Sequence, residues 1–127
     1  VSESSLAADW NKPEEDEAGA FVKGDVVVLP FPFSDLSRSK RRPALVVQNF
    51  VGEDLLLAQI TSQLTRDDFA VRLLDTDFRR GSLNKQSNVR PNKLFTCSIN
   101  LILYKAGSLK EEKMKSITES IKLLLDN

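Results

Sequence analysis

The sequence has 127 residues but contains no histidine, only one cysteine and no long apolar run. The single cysteine, Cys97, excludes an intrachain disulfide framework and fits a reducing cytoplasm. One cysteine and no histidine are too few ligands for a Cys/His zinc site, and any acid–base chemistry needs other groups. No segment approaches the roughly 20 apolar residues of a membrane span, and no signal peptide is recognisable at the start. We therefore expect a cytoplasmic protein.

The charges balance overall, with 18 basic and 18 acidic residues, but they are unevenly distributed. Residues 1–18 carry six carboxylates and one lysine, a net charge of −5. Residues 19–127 carry seventeen basic and twelve acidic residues, a net charge of +5. This asymmetry predicts an acidic arm, residues 1–18, joined to a basic domain, residues 19–127. A basic domain favours a polyanionic partner.

The acidic arm is too polar to form a core of its own. Leu6 and Trp10 are four residues apart and would share one face of a helical turn. Two interpretations remain open. The arm is a disordered tail, or it is a peptide that docks Trp10 as an apolar anchor and lays its carboxylates over a basic groove.

The rest of the chain is predicted to be mainly β, a small barrel or sandwich that ends in a helix. Short apolar, β-branched runs separated by turn residues predict strands at Val26–Pro30, Ala44–Gln48, Leu55–Ile60, Phe69–Leu74, Ser87–Val89, Leu94–Cys97 and Leu101–Tyr104. Pro30 and Pro32 should stop the first strand from continuing as a central one. The spacing of Ile117, Ile121 and Leu124 predicts an amphipathic helix over Leu109–Leu125, capped by the Ser108–Glu111 pattern.

Three polar segments are candidates for chemistry, and each also has an ordinary structural interpretation. The basic run Arg38–Arg42, before Pro43, offers planar guanidinium donors for phosphate oxygens, or is a solvated loop. The segment Gln59–Gln63, which ends an apolar run, has polar side chains that would line a pocket or form a strand-end turn. The segment Ser87–Lys93 is polar and basic, which alone indicates a loop.

In their order along the chain these motifs resemble the MazF/PemK (Kid) toxins of toxin–antitoxin pairs. The resemblance covers about residues 21–125. It is carried by five segments: Lys23–Val28 with Pro30–Leu36, Lys40–Val47 as the RPalvv strand, Ile60–Gln63 as the I-T-S/A-Q segment, Ser87–Thr96, and Gly107–Leu109 before the final helix.

The resemblance implies a small SH3-like or CcdB-like β-barrel with a C-terminal α-helix, usually in a homodimer. It implies a metal- and cofactor-independent endoribonuclease of the mRNA-interferase type, which cuts single-stranded RNA at short motifs and is neutralised by an antitoxin with an acidic C-terminal tail. Arg42 and Thr61 would be the catalytic pair. Attack by the ribose 2′-hydroxyl would leave a 2′,3′-cyclic phosphate. The expected RNA-binding residues are polar or basic neighbours of that pair: Lys40, Arg41, Ser62, Gln63 and Ser87.

The acidic arm in turn resembles the C-terminal tail of the antitoxins of such toxins, with Leu6 and Trp10 as the apolar anchor. An inhibitory peptide joined to the toxin would account for this. Two rival functions are a CcdB-like gyrase-binding toxin and a non-catalytic RNA- or partner-binding barrel. Gyrase poisons resemble one another in a C-terminal Trp-Gly-Ile, whereas this sequence ends in Leu-Leu-Leu-Asp-Asn.

Overall fold

The computed structural model describes residues 21–32, 39–63 and 67–126. The acidic arm, with Leu6 and Trp10, lies outside these residues. The strands are β1 (Asp25–Pro32), β2 (Ser39–Asn49), β3 (Asp54–Thr61), β4 (Val71–Leu73), β5 (Phe78–Gly81), β6 (Ser87–Ser98) and β7 (Tyr104–Leu109). They form one antiparallel sheet in the order β4-β6-β3-β2-β1-β7-β5, curled into a half-barrel, and the helix α1 (Glu111–Asp126) follows β7. The predicted small β-barrel with a C-terminal helix is confirmed.

The two faces of the sheet each carry an apolar cluster, because side chains alternate along every strand. On the helix face, the buried residues Met114, Ile117 and Ile121 of α1 pack with sheet residues that include Leu45 and Ile60. The opposite face, here called the outer face, holds a second buried cluster: Val27, Leu29, Ala44, Val46, Leu55 and Leu57. Odd and even positions of one strand therefore lie on different faces, and the face of a polar side chain follows from that of its buried neighbours.

Helix α1 is amphipathic as predicted, although it begins at Glu111 rather than at Leu109. Its first turn carries Glu111 and Glu112, whose charges suit the positive end of the helix dipole. In the described part of the chain, no helix combines the length and apolar character needed to cross a membrane.

Strand β1 runs on to Pro32, two residues beyond its predicted end, but it does not continue there as a central strand, as its two prolines predict. It pairs with β2 from Val26 to Pro32, but its recorded pairs with β7 run only from Asp25 to Val28. The prolines therefore occupy the part of β1 that has lost one neighbour, where a missing N–H is tolerated. As a result β1 supports the first residues of β2, which carry the basic run.

The boundaries of other strands also differ from the predictions. The two strands predicted at Ser87–Val89 and Leu94–Cys97 are one long strand, β6, whose register against β3 shifts between Ala58 and Gln59. The strand predicted over Leu101–Tyr104 was wrong, because Ile99–Leu101 is a 3-10 turn and β7 begins at Tyr104. Strand β5 was not predicted. Residues 39–42, expected in a loop, are the start of β2.

Ser108 does not cap the helix, since it lies in β7 and its hydroxyl donates to Asp25 Oδ1 at 2.9 Å. The other carboxylate oxygen, Oδ2, accepts the Val22 N–H at 2.9 Å and an ion pair from Lys105 Nζ at 3.1 Å. This carboxylate is almost fully buried, so its partners offset the loss of hydration. The cluster ties the start of the described chain to β7.

Candidate active site

The pairing of β2 with β3 brings Arg42 and Thr61 to the same end of two adjacent strands, although they are nineteen positions apart in sequence. Strand β2 pairs with β3 so that Ala44 lies opposite Gln59. Continuing this antiparallel register by two residues sets Arg42, on β2, opposite Thr61, the last residue of β3. Residues directly opposite in an antiparallel pair have Cβ atoms about 4.5–5.5 Å apart. The guanidinium and the hydroxyl thus belong to one site.

Both side chains lie on the outer face. Ile60, which precedes Thr61, packs into the helix-face core, whereas Ala44 and Val46, in phase with Arg42, belong to the outer-face cluster. Leu29 on β1 lies opposite Arg42 and is buried in that same cluster. An apolar cluster therefore borders the site on one side, and this lowers the local dielectric around the charged group.

Arg42 is half-buried, and its Nε atom is buried from solvent. A guanidinium keeps its positive charge at any pH at which the protein is folded, and its planar array of N–H groups matches the oxygens of a phosphate. Partial removal from water strengthens its attraction for an anion. Arg42 is consequently suited to hold a phosphate group at the end of β3.

Thr61 is also half-buried, and its hydroxyl has a fixed acceptor role. The Oγ1 atom accepts a hydrogen bond from the backbone N–H of Gln63 at 3.1 Å. A hydroxyl that accepts one hydrogen bond still has its own hydrogen to donate. The strand-end turn thus orients Thr61 as a donor without the participation of any titratable group.

Arg90 lies on the same face, one step further along the sheet, opposite Gln59. Its Nε atom donates to Asp67 Oδ2 at 2.8 Å. The hydrogen bond from Arg90 lowers the pKa of Asp67, and a hydrogen bond from the Phe69 N–H acts in the same direction, while burial opposes them. Asp67 therefore remains a carboxylate at neutral pH and offsets the charge of Arg90.

The residues expected to bind RNA fall into two groups, those exposed beside Arg42 and Thr61 and those that line a cavity together with Arg42. Lys40 alternates in phase with Arg42 and is exposed, and Gln63 is exposed just beyond β3. Arg41, Ser62 and Ser87 instead line a cavity of about 330 Å³. The other lining residues of that cavity are Val28, Arg42, Pro43, Ile60, Leu83, Lys85 and Tyr104.

The Ser87 hydroxyl donates to the Lys85 carbonyl oxygen at 3.0 Å, and this serine is buried. It holds the turn before β6. Its direct neighbour Asn88 lies opposite Thr61, and Arg72 lies opposite Asn88. Sequence reasoning missed both. The sequence feature that could have identified them is their alternation with the apolar residues Val89 and Leu73, which the structure places in the core.

Among residues 21–32, 39–63 and 67–126, no group of three or more histidine, cysteine, aspartate or glutamate side chains is arranged to hold a metal ion. The polar groups brought together at the end of β3 are instead a guanidinium, a hydroxyl and an amide. Such groups donate hydrogen bonds to an anion and stabilise charge that develops on it.

Comparison with known proteins connects this arrangement to a family. Residues 22–125 match the family model described as PemK-like, MazF-like toxin of type II toxin-antitoxin system. A comparison with curated protein sequences finds no match.

Several solved structures have a similar fold. An endoribonuclease from Mycobacterial species, in complex with its cognate antitoxin, has a TM-score of 0.67 and 14% identity, covering 84% of this chain and 95% of that chain. The Mycobacterium tuberculosis toxin MazF-mt6 has a TM-score of 0.62 and 20% identity, covering 80% and 96%. A MazE-MazF crystal structure from Deinococcus radiodurans has a TM-score of 0.68 and 19% identity, covering 84% and 96%. At these identities the likeness shows a shared fold.

Proposed function

Because this chain belongs to the PemK/MazF family of toxins, we propose that it is a sequence-specific endoribonuclease that cuts single-stranded RNA without a metal cofactor. The observation that supports this proposal is that Arg42 on β2 and Thr61 on β3 each lie two residues beyond the pair Ala44–Gln59, at the same end of two adjacent strands. RNA contains its own nucleophile, the ribose 2′-hydroxyl, so the enzyme needs mainly to position the phosphate and stabilise its charge. A guanidinium and a hydroxyl on adjacent strands are sufficient for that task.

Arg42 binds the scissile phosphate through its guanidinium fork. As the 2′-oxygen bonds to phosphorus, negative charge grows on the non-bridging oxygens and is stabilised by the fixed positive charge of Arg42. Its position in β2, beside the buried Leu29, keeps the guanidinium in place before RNA arrives. The charge is thereby stabilised without reorganisation of solvent.

The Thr61 hydroxyl donates a hydrogen bond to a phosphorane oxygen, from the side of the phosphate opposite to Arg42. The 2′-oxygen–phosphorus bond forms and the bond between phosphorus and the 5′-oxygen breaks. The proton that leaves the 2′-hydroxyl passes to a non-bridging phosphate oxygen held by Arg42, and from there to the departing 5′-oxygen. The products are a 2′,3′-cyclic phosphate and a free 5′-hydroxyl. No water molecule is consumed in this step.

The direct test is cleavage of a defined long RNA by the wild-type protein in the presence of excess chelator, with the cut sites mapped by primer extension. We expect cuts at a short recurring sequence within single-stranded regions. Loss of cleavage on addition of chelator would contradict the metal-free reaction. No cleavage by the folded wild type or by its Trp10→Ala variant, with or without added divalent metal, would favour a gyrase-binding toxin or a non-catalytic barrel.

We propose further that the basic residues around Arg42, together with the polar residues after β3, contact the RNA. Lys40 lies on the same face and suits the phosphate backbone, whereas Arg41, Ser62 and Ser87 line the neighbouring cavity. Gln63 is exposed beyond β3. An antitoxin with an acidic C-terminal tail would compete for these cations, and a homodimer is proposed from the family resemblance. Two of the structures compared above are toxin–antitoxin complexes.

The acidic arm is proposed to act as an inhibitory peptide of the same chain. Phe21, the first described residue, packs beside the outer-face cluster and its carbonyl oxygen accepts a hydrogen bond from Asn49 Nδ2. Lys105 Nζ lies 5.8 Å from the centre of the Phe21 ring. Phe21 therefore lies on the face that holds Arg42. Trp10 and Phe21 are eleven positions apart, a reach of up to about 36 Å, which exceeds the about 29 Å width of seven strands.

A Trp10→Ala variant of the full chain is expected to cut RNA about ten- to hundredfold faster than the wild type at low RNA concentration. Loss of the buried indole would remove about 1.5–3 kcal/mol of apolar burial from the inhibited state. Initial rates of cleavage of a fluorescent RNA measure this effect. Asn11→Ala, in the same arm, is the matched control and should leave the rate unchanged. Equal rates for Trp10→Ala, Asn11→Ala and wild type would show that the arm does not inhibit.

A further inference from the structure

The outer face carries a row of polar residues that extends past the proposed catalytic pair. Thr61 lies opposite Asn88 on β6, and Asn88 lies opposite Arg72 on β4. Together with Arg42 on β2, these residues form one line across four adjacent strands. Ile60, Val89 and Leu73, which alternate with members of the row, are all buried in the helix-face core. The row therefore lies wholly on the outer face.

Arg72 is an exposed cation at the far end of this row, on the edge strand β4. Among the described residues, no carboxylate forms a salt bridge with it. The neighbouring Arg90 differs, because Asp67 offsets its charge through the 2.8 Å ion pair. The charge at the β4 end of the row is thus supplied by Arg72 rather than by Arg90.

The distance along the row sets what Arg72 can bind. From β2 to β4 there are three strand spacings, which amount to about 14 Å. One phosphate held between Arg42 and Thr61 is too far away for Arg72 to share. Asn88 lies between the two positions, and its amide can both donate and accept hydrogen bonds.

We propose that Arg72 and Asn88 form a second RNA-backbone site, at which Arg72 binds a phosphate on one side of the cut and Asn88 binds the sugar-phosphate between the two sites. This inference rests on the proposed function. A contact to phosphate fixes the register of the strand without reading its sequence. Arg72 is accordingly a positioning residue that raises affinity and leaves the chemical step and the cut motif unchanged.

The test is binding of the full-length protein to two 2′-O-methyl RNA oligonucleotides of different sequence, both of which lack the nucleophilic hydroxyl. Fluorescence anisotropy over a salt series gives the affinity and its dependence on salt. Arg72→Gln should weaken binding about tenfold at low salt for both sequences. It should also reduce the slope of log K against log salt by about 0.7, the value for one phosphate contact on a single strand.

Further variants separate charge from shape. Arg72→Lys should restore the salt slope, because an ammonium still neutralises one phosphate. Asn88→Ala should weaken binding with no change in slope, since the asparagine amide carries no charge. Arg79→Gln, which removes an exposed arginine on β5 at the other end of the strand order, is the matched control and should match wild type. With cleavable RNA, Arg72→Gln should raise KM about tenfold and keep kcat within about twofold.

An Arg72→Gln protein with wild-type affinity and salt slope would overturn this inference, and so would a loss confined to one of the two RNA sequences. If the wild type cuts RNA normally in that case, the proposed function stands and only the second site is wrong. Failure of both the wild type and its Trp10→Ala variant to bind or cut RNA would overturn the proposed function and this inference together.

Discussion

An Arg42→Ala protein is expected to cut single-stranded RNA about 10²–10³-fold more slowly than the wild type, the effect of removing one preorganised donor from developing anionic charge. Arg42 is half-buried and lies opposite Leu29 on β1, and the alanine variant leaves no guanidinium at that position. Single-turnover rates at saturating RNA measure the loss. Such rates report the chemical step rather than binding.

Two companion variants make the Arg42 experiment specific. Arg42→Lys keeps the charge but loses the planar fork, and its rate should lie between those of wild type and Arg42→Ala. Arg79→Ala, an exposed arginine on β5, removes the same charge and should cut at the wild-type rate. Thermal unfolding of each variant checks the fold. A well-folded Arg42→Ala protein whose cleavage rate is within about threefold of the wild-type rate would contradict the catalytic role of Arg42.

Replacement of Thr61 is expected to have the second largest effect, and a pair of variants isolates its hydroxyl. Thr61→Val keeps the shape but removes the donor, and should slow cleavage about 10²-fold. Thr61→Ser keeps the hydroxyl, which can still accept from the Gln63 N–H, and should stay within about tenfold of wild type. The same single-turnover assay applies. Comparable rates for the valine and serine variants would mean that the hydroxyl takes no part in the reaction.

The two Thr61 variants also separate catalysis from folding. Loss of the acceptor for the Gln63 N–H should cost about 1 kcal/mol of stability in Thr61→Val, similar to the loss of a capping hydrogen bond. That cost lowers the unfolding temperature slightly, but it cannot reduce the rate of the folded enzyme a hundredfold. Denaturant unfolding of Thr61→Val measures it independently of RNA.

Much of the fold was accessible from the sequence because local patterns and tertiary structure agree in β1 to β3. The runs at Val26, Ala44 and Leu55 are apolar at nearly every position, since both faces of these strands are buried. The local pattern gave a wrong prediction where a residue distant in sequence provides the hydrogen-bond partner. Ser108 matches a helix-capping pattern, yet its hydroxyl donates to Asp25, which lies 83 residues away.

Strand β6 shows a second limit of sequence-based prediction. It was predicted as two strands, because the polar stretch around Pro91 and Asn92 resembles a loop. In the structure Pro91 is fully buried, and the stretch is a register irregularity inside a continuous strand. The hydrogen-bonding neighbour, β3, determines where such an irregularity is tolerated, and its register cannot be obtained from the pattern of one strand.

The candidate site was partly predictable for a related reason. Arg42 and Thr61 were identified through motifs that resemble a family, and their proximity then followed from the register of β2 and β3. Asn88 and Arg72 carry no such motif. Each becomes significant only when the pairings of β6 with β3 and β4 are known. Alternation shows which face a residue occupies, but not which residues of other strands share its row.

The central claim is that RNA is cut by its own 2′-hydroxyl on a phosphate held between Arg42 and Thr61. The most direct measurement uses an RNA with a single 2′-deoxy nucleotide on the 5′ side of a mapped cut, incubated with wild-type protein and chelator. We predict that cleavage at that position disappears, while cleavage of the all-ribose RNA leaves a 2′,3′-cyclic phosphate and a 5′-hydroxyl. Continued cutting at the deoxy position, or products with a 5′-phosphate, would contradict the account.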